Sequence, residues 1–321
     1  PIQINGKVRG RVEIENDTGG KRPLSIPTVR DRVAQMAAKL VLEPVFEADL
    51  DDQAYGYRPN RSCLGAVKKV HSALCDGYLH VVDADVSGYF DNIPHRQLIK
   101  SVANRVSDGS ILALIKSWLK VAIREEDDNG NVTFSGGKAS TKGTPQGGVI
   151  SPLLANIYIN RLLKAWNRYS KPEKFHAHLV NYADDFVVLC RTKRGARKAL
   201  EWINSAMKTM GLSLNREKTQ ICNANIDDFD FLGYTFGRRY PKFTGRQYLA
   251  AVPSDASVQS LKERVKRILK TNQASKWEEV LEEINYLLNG WANYYSYGSL
   301  GGIYRAVNYY VYDAVVRFHS K

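Results

Sequence analysis

Apolar positions along this chain recur first with the mixed periods of strands and helices, then with the helical period alone. Residues 7–15 alternate like a strand, and Asn16 to Gly20 read as the turn that follows. Residues 31–46 are predicted helical, with Val33, Met36, Ala37, Leu40 and Val41 forming the inward stripe and Pro44 marking the end. A polar, turn-rich loop runs from Asp51 to Ser62, and residues 79–86 form a strand. A helix is predicted over 110–123 and a hairpin over 129–144. The next helix is expected to start with Ser151 as N-cap and Pro152 in its first turn. Residues 176–190 read as strand, turn, strand, and a helix follows at about 194–210 before a strand–turn stretch to Tyr240. From 255 onward only helices are predicted, over 258–270, 276–295 (N-capped by Ser275) and 302–319. This order implies an α+β layer followed by a separate helical subdomain.

The chain has 321 residues, enough for two or three packed subdomains. Its 46 basic and 33 acidic side chains leave a net charge of +13, which points to a polyanion such as nucleic acid. No apolar run is long enough to cross a membrane, and the N-terminus lacks signal-peptide architecture, so no membrane partner is expected. Cys63, Cys75, Cys190 and Cys222 are scattered without a CxxC pair, which fits a reducing cytoplasm and argues against zinc. His176 and His178 alternate near a strand but lack a third nearby ligand.

Carboxylates carry the chemical signal. Asp83 and Asp85 lie two apart on a strand and so share a face. Asp184 and Asp185 sit at the tip of a second hairpin. Asp pairs are common in turns for conformational reasons alone. Here the pair follows Tyr182 and Ala183 between two apolar runs, and carboxylates converging from adjacent strands are what a pair of magnesium ions requires.

The motifs around these residues resemble those of reverse transcriptases encoded by bacterial group II introns. YADD at 182–185 resembles polymerase motif C, and DVSGYFD at 85–91 resembles motif A. GTPQGGVISPLLAN at 143–156 resembles motif B, and GLSLNREKT at 211–219 resembles motif D. RPLSIPTVRDRVAQ at 22–35 and YGYRPNRS at 55–62 resemble the fingers motifs, and FDFLGY at 229–234 the primer grip. LLNGWANYYSYG at 287–298 resembles the maturase-specific thumb, domain X. The resemblance implies a right-hand polymerase, α+β, with fingers and palm around an antiparallel sheet and an all-helical thumb. It places fingers at 1–79, palm at 80–240 with a fingers insertion at about 95–145, and thumb at 241–321.

It also implies roles. Asp85, Asp184 and Asp185, with the Val86 carbonyl, would hold two Mg²⁺ ions, for which Mn²⁺ can substitute. Phe90 would exclude a 2′-hydroxyl, Gln146 and Gly147 would lie against the incoming nucleotide, and Arg22 would grip its triphosphate. Lys218 would donate a proton to pyrophosphate, and Phe231, Leu232 and Gly233 would form the primer grip. Asp83 is expected to support the site without ligating metal. Where the family usually carries a lysine six residues before the fingers arginine, this chain has Asn16, which implies weaker nucleotide binding unless Lys21 or Arg11 compensates. Lys262, Lys266, Arg267 and Lys270 cluster on one thumb helix as candidate nucleic-acid contacts, whereas the thumb tryptophans fit a core better than a stacking surface.

The implied partners are intron RNA, an RNA template with a DNA primer, dNTPs and target DNA, in a bacterial cytoplasm. Two other readings are a splicing maturase without polymerase activity and a reverse transcriptase of a retron, diversity-generating or CRISPR-linked system. The intact carboxylate set argues against the first, and the thumb motif against the second. The absence of an initiator Met, of most of the family's N-terminal extension and of an HNH-type endonuclease after 321 is read as truncation of a longer protein or as an element without its own DNA cleavage.

Overall fold

The computed structural model describes residues 7–8, 11–15, 21–126, 132–240, 245–271 and 276–320, with backbone alone at 7–8, 11–15, 21–24, 124–126, 132 and 135. In chain order the elements are β1 (Lys7–Val8), β2 (Arg11–Glu15), β3 (Lys21–Ser25), α1 (Val29–Glu47), α2 (Cys63–Cys75), β4 (His80–Asp85), α3 (Tyr89–Asn92), α4 (His95–Ala103), α5 (Gly109–Leu119), β5 (Ala122–Glu126) and β6 (Val132–Gly136). They continue with α6 (Ser151–Arg168), α7 (Lys171–Phe175), β7 (Ala177–Tyr182), β8 (Asp185–Cys190), α8 (Lys193–Thr209), β9 (Gln220–Asn223), β10 (Phe229–Phe231), β11 (Tyr234–Arg239), β12 (Tyr248–Pro253), α9 (Asp255–Thr271), α10 (Trp277–Tyr294) and α11 (Gly301–His319).

The chain forms two compact units, one of residues 1–62 and 80–221, the other of 63–79 and 222–321. In the first, the central sheet has the order β7-β8-β4-β9, and β9 is the strand on which the chain passes to the second unit. Strand β8 pairs antiparallel with both β7 and β4. Central strands need apolar side chains on both faces, and Phe186, Val187, Val188, Leu189 and Cys190 of β8 are all buried accordingly. Helix α6 runs through the core of this unit; Leu154, Tyr158, Leu162 and Trp166 are almost wholly buried.

In the second unit, β10, β11 and β12 form an antiparallel sheet with α2 against β12. Helices α9, α10 and α11 share a core of Leu261, Val265, Val280, Ile284, Leu287 and Val307. Trp277 and Trp291 pack against that core, as expected for aromatic residues at helical spacing. No helix among the described residues is long and apolar enough to cross a membrane.

Expectations about three helices need correction. Helix α1 is rotated: Gln35, Ala38, Leu42 and Phe46 are buried, while Val33, Leu40 and Val41 are 66%, 66% and 69% exposed. On the buried side Gln35 Oε1 accepts from Ile150 N near the start of α6 at 3.4 Å, and Thr28 caps the helix by accepting from Asp31 N. Pro44 lies inside α1 on its exposed side and does not end it. Helix α5 stops at Leu119, and the apolar run beyond it belongs to β5, which pairs antiparallel with β6, so the hairpin begins earlier than its glycines suggest. Ile150, not Ser151, occupies the N-cap position of α6. Ser275, the N-cap expected for α10, lies outside the described residues.

Candidate active site

Strand pairing brings the carboxylates together. Asp85 ends β4, and Asp185 begins β8 directly across from it. Directly opposed residues on an antiparallel pair have Cβ atoms about 4.5–5.5 Å apart on one face. Asp184 occupies the turn between β7 and β8, next to Ala183, which has φ +57°. A backbone bond ties this turn to the end of β4: Val86 N donates to Asp184 O at 3.4 Å. On its other side Val86 bridges to Leu214, and Asn215 N donates to Asp85 O at 2.8 Å. The ends of three chain segments are thus bonded backbone to backbone beneath the acidic side chains.

Asp85 is half-buried, and Lys218 Nζ lies 3.9 Å from its Oδ2. Asp83, on the same face of β4, accepts from Gln220 Nε2 at 3.4 Å. Tyr89 sits beneath, wholly buried, and donates its hydroxyl to Ala155 O at 2.6 Å. Burial, with the nearby Tyr158 and Asp184 adding to it, pushes the Tyr89 phenol well above its usual pKa and keeps it a proton donor.

The motif B loop lies against motif A. Thr144 N donates to Phe90 O at 2.7 Å, and Gly143 N donates to Ile93 O at 2.9 Å. The Gln146 amide donates to both Asp91 carboxylate oxygens, at 3.0 and 3.2 Å. Gln146 O in turn accepts from Ser25 N at 2.7 Å, which joins this loop to the end of β3. The joint requires Gly147: its φ is +101°, and a Cβ there would stand 2.3 Å from Ser25 O. Phe90 is half-buried, with its ring 6.5 Å from that of Tyr57, which also lies 6.3 Å from the Tyr182 ring.

A polar loop clamps the Asp184 turn from behind. Asn181 N donates to Gln53 O, and Tyr55 N donates to Asn181 O, both at 2.8 Å. The Asn181 side chain donates to Ala183 O at 2.9 Å. Asn156 Nδ2 donates to Gly56 O at 2.7 Å, and a Cβ on Gly56 would stand 2.6 Å from Ala183 N. Arg58, buried, bonds Glu47 and the carbonyls of Asp51 and Ala54, which holds the loop in shape. None of Asp91, Asn181, Asn156, Gly56 or Arg58 was singled out from the sequence. Asp91 closes the motif A segment, Asn156 closes motif B, Gly56 and Arg58 lie in the fingers motif at 55–62, and Asn181 directly precedes YADD, but the motifs assign none of them this structural role.

The remaining candidate residues fall elsewhere. Arg22 and Lys21 lie on β3 and Arg11 on β2, where only the backbone is described, and Asn16 is outside the described residues. In the second unit Phe231 is buried at the end of β10, and Leu232 and Gly233 form the β10–β11 turn with positive φ. Tyr294 and Ser257 hydroxyls donate to the carbonyls of Leu232 and Gly233. Lys266, Arg267 and Lys270 are exposed on α9, while Lys262 lies 5.4 Å over the Tyr310 ring. All four cysteines are free thiols.

Among the described residues, no three His, Cys, Asp or Glu side chains converge as a ready-made metal site. The donor chemistry nevertheless suits a hard divalent cation: Asp85, Asp184 and Asp185 supply only oxygens, from one end of the central strands β4 and β8. A neighbouring cation, Lys218, lies 3.9 Å from Asp85.

Residues 14–236 match the family model of reverse transcriptase (RNA-dependent DNA polymerase). The chain belongs to the reverse transcriptase family. Residues 258–321 match the group II intron maturase-specific domain, which makes this a reverse transcriptase of the group II intron-encoded type. Protein YkfC of Escherichia coli (strain K12) is 32% identical, over 76% of this chain and 71% of its own length. The group II intron-encoded protein LtrA of Lactococcus lactis subsp. cremoris is 29% identical over 66% of this chain. A 91 kDa protein in the cob intron of Schizosaccharomyces pombe is 26% identical over 96% of it. The chain spans 44% of LtrA and 46% of the fission-yeast protein. Among solved structures, telomerase from Candida albicans superposes with a TM-score of 0.59 at 13% identity, covering 96% of this chain and 58% of that one. The fold is the right-hand fold of reverse transcriptases, and the C-terminal region is helical. As a family, reverse transcriptases depend on a divalent metal.

Proposed function

We propose that this protein is an RNA-directed DNA polymerase of a group II intron, adding dNTPs to a primer 3′-hydroxyl and binding intron RNA to assist splicing. The observation that carries this reading is the opposition of Asp85 and Asp185 across β4 and β8, with Asp184 in the adjoining turn. We assign the fingers to 1–79, the palm to 80–240 with an insertion at about 95–145, and the thumb to 241–321.

Asp85 and Asp184, with Asp185 and the Val86 carbonyl beside them, would hold two Mg²⁺ ions. Bound there, divalent cations favour ionisation of the primer hydroxyl and neutralise the triphosphate. The chain's own groups do the positioning. The Gln146 amide, oriented by Asp91, and the bare backbone of Gly147 set the floor on which the nucleotide lies. Arg22 binds the triphosphate. Lys218, which lies close to Asp85, gives a proton to the departing pyrophosphate. The Leu232–Gly233 turn presents the primer, and Lys262, Lys266, Arg267 and Lys270 meet phosphates. RNA template, DNA primer and target DNA are the partners, in the cytoplasm of a bacterium.

Primer extension on an RNA template tests the reading. Extension by the wild-type chain that disappears in Asp184→Ala supports it. RNA binding without extension would instead identify a maturase alone.

Two further results are expected. Phe90→Val opens space beside Tyr57 and should raise ribonucleotide incorporation at least about tenfold relative to dNTP, about 1.4 kcal/mol of discrimination. An unchanged ratio in single-nucleotide extension would place the sugar gate elsewhere. RNA affinity should also fall steeply with salt, with nearly one unit of log–log slope per neutralised phosphate. Titration between about 50 and 200 mM salt measures it, and a slope near zero would contradict phosphate contact.

A further inference from the structure

A basic cavity of about 450 Å³ opens in the first unit among the end of α1, helix α4 and the C-terminal half of α6. Four cations line it: Lys100, Arg105, Arg161 and Lys164. One carboxylate, Asp49, opposes them. Arg105 engages both of its oxygens, and Lys164 lies 3.9 Å away. These partners hold the Asp49 carboxyl below the usual carboxylate range, so it stays ionised and already saturated. Neither Lys100 nor Arg161 has an ion-pair partner among the described residues.

The polar frame is fixed and favours donors. Arg161 stacks over the Tyr158 ring at 5.2 Å and donates to Gln97 Oε1 at 3.1 Å. The Tyr158 hydroxyl lies 2.8 Å from the same oxygen and shares its single proton between it and Met210 O. Asn160, buried, spends both ends of its amide on the backbone of Asp49 and Asp51. What remains unspent is positive charge and N–H groups around a volume large enough for a nucleotide unit. Such a surface is complementary to phosphate oxygens.

The cavity is not part of the nucleotide site. Ser151, at the start of α6, bonds Pro145 O in the motif B loop. At 1.5 Å per residue, Arg161 lies about 15 Å further along the helix. We propose that this cavity binds a backbone phosphate of a structured RNA held apart from the template and primer. The proposal rests on the RNA-binding part of the function proposed above.

The test compares Lys100→Gln/Lys164→Gln with Lys100→Arg/Lys164→Arg, all at exposed positions. Binding of a group II intron RNA is measured against salt. The Gln pair should lower the log–log slope by roughly one to two units and the Arg pair should keep it. Extension of a DNA primer on a short RNA template should stay within about twofold of wild type in both, since the cavity lies well away from the nucleotide loop. An unchanged slope in the Gln pair overturns the proposal. Inorganic tripolyphosphate supplies the second arm. If it raises the melting temperature of wild type but not of the Gln pair, at concentrations that leave RNA binding intact, the site serves a free polyphosphate and the RNA assignment is overturned. Failure of the polymerase reading looks different: the wild-type chain itself would not extend the primer.

Discussion

Asp184→Asn and Asp85→Asn proteins will extend a primer about a thousandfold more slowly than wild type, or worse, while binding RNA with unchanged affinity. Replacing either carboxylate with an amide keeps its size and removes its charge. Metal-assisted stabilisation of developing charge is worth several kcal/mol, and each 1.36 kcal/mol is tenfold in rate. The fold should survive. Asp85 is half-buried rather than sealed in the core, and the register that places Asp85 opposite Asp185 is set by backbone bonds and by the buried run Phe186 to Cys190. The measurement is single-turnover extension alongside a filter-binding titration. Near-normal extension by either variant would remove that residue from the metal site.

Gly147→Ala should fail in a different way. The backbone there has φ +101°, and an added methyl would meet the Ser25 carbonyl at 2.3 Å. Holding a non-glycine residue in such a region costs about 1–3 kcal/mol. The clash is with backbone, so relief requires β3 and the motif B loop to separate and the Ser25–Gln146 bond to break. Gln146 then loses its fixed position over Asp91. KM for dNTP should rise roughly tenfold or more, the equivalent of 1.36 kcal/mol. The melting temperature should fall by several degrees, at about 2–4 °C per kcal/mol for a unit of this size. Gly109→Ala is the control, since a Cβ there meets nothing. Equal behaviour of the two alanine variants, in dNTP titration and thermal unfolding, would show that the joint does not matter.

The site's ingredients were legible because they ride on short local patterns. The apolar runs within 79–86 and 176–190 were enough to put Asp85 near a strand end and Asp184 at a hairpin tip, and YADD between apolar runs marked the turn. The pairing partner was not legible. Nothing in the period of β4 says that it lies beside β8 rather than β7, yet that choice creates the Asp85–Asp185 opposition. Helix α1 shows a different limit. Its most apolar stripe faces outward, and Gln35 lies on the inward side, where it accepts a hydrogen bond from Ile150 N. A hydrophobic count cannot weigh a bond to an atom more than a hundred positions away. The overrun of α5 into β5 has a simpler cause, since an apolar run fits either element until pairing with β6 decides it.

The loop behind the catalytic turn has the composition of a solvent-facing connection, but its backbone is wired to Asn181 in β7 on both sides. Its peptide groups therefore share the fate of the central sheet. The amides of Tyr55 and Asn181 should retain deuterium label as long as those of β8, through the opening events that strip label from ordinary connections. The catalytic turn would then be released only when the sheet behind it comes apart.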